Sequence, residues 1–291
     1  MEVYEGGSEA PMTRVRTSEE RSRMLLVLGI PLGVFCGLLG LSGTEYRVPI
    51  LRRFFDYPTA RTVPFNLTIS VMTLAAGLVG REPSTSATLM WPHLPELASL
   101  LGGSLLGLYA GAAYADRRPT ARFERVSLFA MLAIGATLIG ATLLSWNAAL
   151  PLLLAARIPA GVALGVLIGA VSSIRGISGG QLLIPALVLA FGVDLKVAGS
   201  ASACVSFPIV LVGLVRHART SAFVREREYR DLVVPLGVGS ALGAVTGGYL
   251  VSRVPSMALG LVLGALLIVS SLKNLREREE QAESPPDGPR A

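Results

Sequence analysis

The sequence predicts an all-α polytopic membrane protein with about eight membrane segments in two pseudo-repeated halves of four, each half opening with a glycine-rich broken helix. Three observations predict it. The chain is 52% hydrophobic and 16% charged over 291 residues, with mean hydropathy +0.58, and its charges fall in short runs between long apolar segments. Thirty-two glycines are too many for soluble helices but suit membrane helices, where small residues let backbones approach. Finally, two apolar segments are interrupted alike: GVFCGLLGLSGTEYRVPIL from Gly33 to Leu51, and GVLIGAVSSIRGISGGQLLIPAL from Gly165 to Leu187. Glycines at spacing four precede each break, a proline follows it, and a Ser-Gly step lies seven residues before that proline.

Taken in order, residues 1–23 are polar and mixed in charge and are expected to be a disordered cytoplasmic tail. No cleavage site follows, and the apolar run from Met24 to Leu41 is longer than a signal peptide's. The first half, 24–145, holds the broken segment 24–55 and uninterrupted apolar segments at 62–80, 94–115 and 126–145. The second half, 146–275, holds the broken segment 150–193 and segments at 197–215, 232–251 and 255–272. Each uninterrupted segment covers roughly 27 to 33 Å at helical rise, enough for the hydrocarbon core. Residues 276–291 are charged and Pro-rich and are expected to be a second disordered tail.

The net charge of +6 comes from 26 Lys and Arg, 24 of them Arg. In a soluble chain this would suggest nucleic acid. Here the basic residues cluster at segment ends and report orientation instead. If each broken segment enters, turns at its break and returns, twenty basic residues fall inside and four outside (Arg81, Arg157, Lys196 and Arg253). Both termini are then cytoplasmic, the two halves are inverted, and Trp91 and Trp146 fall at the outer interface. Met24 to Ser42 is also long enough to cross alone, so a long helix with a short return arm is the alternative.

A glycine-rich break is costly in a bilayer unless its freed backbone groups face protein, water or a ligand. Successive N–H groups at the start of a half-helix make a natural anion site. The candidate substrate-binding residues are Ser42, Gly43, Thr44, Glu45 and Arg47 at the first break, and Arg175, Ser178, Gly179, Gly180 and Gln181 at the second. Asn66 and Ser200 join them from the helices that follow. For any single Ser or Thr, bonding to its own helix is the simpler reading, and for Gly33, Gly37, Gly165 and Gly169 it is helix packing. Asn66 at this depth needs partners. Glu45, Arg47 and Arg175 are functional candidates as ionisable groups within membrane segments, with a structural Glu45–Arg175 pair as the alternative. Cys36 and Cys204 read as small buried apolar residues, and His93 and His217 as interfacial. Ser178 in GISGG lacks the preceding strand and partner residues of a nucleophile elbow, so no enzyme, metal site or cofactor is expected.

The second copy, Gly176-Ile177-Ser178-Gly179-Gly180-Gln181-Leu182-Leu183-Ile184-Pro185, resembles the glycine-rich signature of the sulfite exporter TauE/SafE family and continues in its manner through Gly192, Lys196, Ala198, Gly199, Ser200 and Ser202. The first copy keeps the frame but puts Thr44 and Glu45 where later glycines would stand. The resemblance implies an inner-membrane permease exporting sulfite, sulfonates or related sulfur-containing anions. It would be a secondary transporter working by alternating access around a midplane site. The expected partners are a small anion, the lipid bilayer, and a proton or other coupling ion, with no nucleic acid. A non-transporting scaffold or receptor on the same fold, or an anion channel, are the alternatives.

Overall fold

The computed structural model describes residues 18–44, 46–47, 59–82, 87–115, 121–144, 154–175, 180–220 and 232–283. Among them the regular structure is entirely helical. In chain order the helices are α1 (Ser18–Leu39), α2 (Thr59–Arg81), α3 (Leu94–Ala115), α4 (Ala121–Leu143) and α5 (Leu154–Arg175). They continue with α6 (Gly180–Pro185, prolonged by a π-helical turn Ala186–Ala190), α7 (Leu195–Thr220), α8 (Val234–Leu250) and α9 (Ser256–Glu283). Residues 18–23 and 276–283, expected in the tails, belong to α1 and α9. The rest of both tails, Trp146, and the side chain of His217 lie outside the described residues.

Among the described residues six helices are long and apolar enough to cross a membrane: Ser22–Leu39, Val63–Arg81, Ala156–Ser173, Leu195–Arg216, Val234–Arg253 and Ser256–Lys273. α3 and α4 occupy the segments expected at 94–115 and 126–145 but are not among the six. Among the described residues, the apolar part of α4 is Ser127–Leu143. Conversely, the first arms of both broken segments are spanning helices. α1 and α5 have 22 residues each, about 33 Å at helical rise. The return from the second break, residues 180–190, covers about 16 Å and is too short to cross. At the second break a long helix with a short return arm thus stands where an entering and returning hairpin was expected, while the return from the first break lies outside the described residues.

The halves are interlocked. α1 of the first half packs along α8, the third long helix of the second, and α5 packs along α3 in the same relation. α2 meets α7, and α4 meets α9. Exchanging the halves therefore maps the first two contacts onto each other and the last two onto themselves, a two-fold pattern in chain order. Glycines make the two matching seams. An added Cβ at Gly33 would lie 2.1 Å from Ser240 O, and one at Gly169 would lie 2.1 Å from Ser104 O. The helices touch backbone to backbone, as the spacing-four glycines predict.

Gly33→Ala and Gly169→Ala are therefore expected to force their helices apart and to destabilise the protein by about 1–3 kcal/mol each. Gly102 and Gly140 have nothing within 4 Å of an added Cβ, so alanine there should be neutral or stabilising by up to about 1 kcal/mol. Melting temperatures of the four purified variants check this, and equal shifts across them would contradict the seam assignment.

The buried core gathers at the breaks. Leu39 and Leu41 from the first break join Leu183, Ile184 and Leu187 of α6 and its extension, with Ala198, Ala201 and Val205 of α7. Both interruptions are thus built into one apolar centre.

Candidate functional site

α1 ends because Gly40 adopts φ +78°, a left-handed conformation favoured at a helix C-terminus. The Leu41 N–H then reaches back to Cys36 O at 3.0 Å. Gly43, at φ +74°, turns the chain a second time, and a short helical turn follows through Tyr46 and Arg47. Neither turn leaves room for a larger residue: a Cβ on Gly40 would lie 2.1 Å from Gly199 O, and one on Gly43 would lie 2.5 Å from Cys36 Sγ.

This turn delivers Arg47 into the interior of the bundle, where it is 1% exposed. Its Nη1 donates to Ser70 Oγ at 3.1 Å and its Nη2 to Thr73 Oγ1 at 2.8 Å. Those hydroxyls donate in turn to Asn66 O and Ile69 O of their own helix, both at 2.7 Å. Their lone pairs are what they offer the guanidinium. Nε of Arg47 has no hydrogen-bond partner. Among the described residues no carboxylate pairs with Arg47. Among the described residues the cation is held by neutral hydroxyls and the Cys36 side chain, and it presents positive charge to whatever occupies the space beside it.

The other polar groups around the turn close on it. Asn66 Nδ2 donates to Thr44 O at 3.0 Å, and Ser42 Oγ lies 3.2 Å from Thr44 Oγ1. From the second break, Gln181 Nε2 donates to Tyr46 OH at 2.6 Å, and Ser202 Oγ donates to Gly180 O at 3.2 Å. The two interruptions, 135 positions apart in sequence, are in direct contact. Around that contact Asn66 Oδ1, Gln181 Oε1 and Ser206 Oγ are buried without partners.

Of the residues expected at the site, Ser42, Gly43, Thr44, Arg47, Asn66, Gly180 and Gln181 come together here. Glu45, Ser178 and Gly179 lie outside the described residues. So does the side chain of Arg175, the last residue of α5. The Glu45–Arg175 pair therefore falls outside them too. Ser200 lies elsewhere and serves Arg81. Cys36, expected to be a plain apolar residue, faces the same small space beside Gly43 as the Arg47 guanidinium.

Arg81 is the residue the sequence reading misplaced. Assigned to an outer loop, it closes α2 and is only 2% exposed. Its Nη1 donates to Gly37 O at 2.8 Å and Leu38 O at 3.1 Å, its Nη2 to Lys196 O at 3.0 Å, and its Nε to Ser200 Oγ at 2.8 Å. The first two are last-turn carbonyls of α1, stranded because Leu41 N–H bonds Cys36 O instead. Arg81 is thus a side-chain cap on one helix and a tie to the start of α7. Beside it lies a cavity of about 10 Å³, room for about one water, lined by Leu38, Leu39, Ile184, Leu195, Leu259 and Leu263. Thr73, likewise missed, shares a signal with Arg81. Asn66, Ser70, Thr73, Gly77 and Arg81 recur at steps of four and three, the inner face of one helix.

Comparison with curated proteins and with solved structures finds no match. A family model described as Sulfite exporter TauE/SafE matches residues 7–138 and again 160–291, one match in each half. With that match over nearly all of a helical bundle containing six membrane-length helices, the chain belongs to the sulfite exporter TauE/SafE family, a family of multi-pass membrane transporters.

Proposed function

We propose that this protein is a secondary transporter of a small sulfur-containing oxyanion, sulfite or a sulfonate, which binds where the two breaks touch. The observation that carries this reading is Arg47: a buried guanidinium with a spare donor, held among the described residues by hydroxyls and the Cys36 side chain rather than by an acid. An anion supplies the missing countercharge, and Ser42, Thr44, Gly180 and Gln181 complete the lining. Transport follows by alternating access about this contact. Because α1 with α8, and α3 with α5, each join helices of both halves, the units that rock are these helix pairs rather than the sequence halves. The inner membrane is the proposed location, with both termini on the cytoplasmic side, supported by the four arginines of residues 1–23 and the four basic residues after Leu272. A proton or another ion driving the cycle is part of the same proposal.

Flux in proteoliposomes tests it. Sulfite or sulfonate movement should saturate with concentration, show counterflow, and vanish in Gly180→Leu, whose side chain would fill the space toward Leu41, Ser202 and Ser206. Flux that never saturates would instead identify a channel. Folded wild-type protein with no flux of any sulfur oxyanion would leave a scaffold or receptor.

A further inference from the structure

The bare polar atoms at the contact are of two kinds, and together they describe the ligand more narrowly than its charge does. Arg47 Nε is a donor awaiting an acceptor, as an anion's oxygen supplies. Asn66 Oδ1 is the opposite. Its amide orientation is fixed, because only the NH₂ group can face the carbonyl of Thr44 at 3.0 Å. The oxygen left over is an acceptor on a side chain 2% exposed, with no donor in reach. Ser206 Oγ, beside Gly180, lacks a partner as well, and so does Gln181 Oε1. A buried acceptor left bare costs about 1–3 kcal/mol. An oxyanion consisting only of acceptor oxygens would face Asn66 Oδ1 with a second lone pair and worsen the cost.

We infer that the preferred ligand is a monoanion carrying its own hydrogen-bond donor: a hydrogen-oxyanion, or a sulfonate bearing a hydroxyl or ammonium group. Its anionic oxygens take Arg47, and its O–H or N–H group takes Asn66 Oδ1. This rests on the anion-binding reading above and deepens it. Sites built to receive a substrate hydroxyl discriminate strongly against analogues that lack it, because the site's own polar group is then stranded.

Hydroxymethanesulfonate and ethanesulfonate provide the test. They have the same charge and the same number of non-hydrogen atoms, and differ by a hydroxyl in place of a methyl group. Binding is read from ligand-dependent melting shifts of the full-length protein and from competition with sulfite flux. The hydroxylated ligand should bind at least about tenfold more tightly, and Asn66→Leu should bring it down to the level of ethanesulfonate. If Asn66→Leu does not fold, the wild-type ratio alone decides. Equal binding of the two sulfonates, with both competing against sulfite, overturns the donor inference and leaves the anion site standing. If neither these sulfonates nor sulfite binds at all, both readings fall.

Discussion

Arg81→Met is expected to destabilise the protein by about 3–5 kcal/mol, a fall of roughly 10 °C in melting temperature for a chain this size. The substitution keeps the apolar stem's volume and removes only the fork of donors. What it strands is the reason for the size. Gly37 O and Leu38 O sit in the last turn of α1, where the helix supplies no N–H. Lys196 O and Ser200 Oγ lose their contacts with the guanidinium at the same moment. The C-terminal end of a helix also favours a cation, so the guanidinium's charge is partly answered by the carbonyls it caps. Arg81→Lys keeps the charge but not the planar fork and should recover about half of the loss. A methionine variant melting within about 2 °C of wild type would remove Arg81 from the role of structural tie.

The contrast between segments explains what was legible in the sequence. Hydropathy and glycine spacing depend on lengths and periods that the chain writes directly. The helices, the two breaks and the backbone seams of Gly33 and Gly169 could therefore be read from the residues alone. Convergence of the breaks was also readable, since repeated interruptions need a shared reason to survive in lipid. Burial of charge was not. Arg81 was assigned outside because basic residues at segment ends normally sit in water, and nothing local says that Gly37 and Leu38 present bare carbonyls to it. That fact arises only when Gly40 ends α1 and Leu41 bonds back to Cys36. Ser200 was misassigned for the same reason, being read with the second break while its oxygen belongs to Arg81.

Arg47 should behave in the opposite way from Arg81, although both are buried arginines without an acid partner among the described residues. Arg47→Met is expected to melt within about 3 °C of wild type or above it, while anion affinity falls about a hundredfold and flux disappears. The stability half of this follows from what Arg47's partners do without it. Ser70 and Thr73 go on donating to Asn66 O and Ile69 O, so no carbonyl is stranded. Hydroxyl lone pairs and the Cys36 side chain lose a donor, a small loss set against removal of a buried charge from the interior. The functional half follows because methionine offers an anion neither charge nor N–H. Measuring both quantities on the same preparation separates the two arginines: one holds the helices together, and the other stays at an energetic disadvantage that only a bound anion relieves. In wild type, added ligand should therefore raise the melting temperature as its concentration passes the dissociation constant, and in Arg47→Met it should not. If Arg47→Met instead collapsed as Arg81→Met is expected to, Arg47 would be one more structural tie and the charge at the breaks would have no need of a substrate.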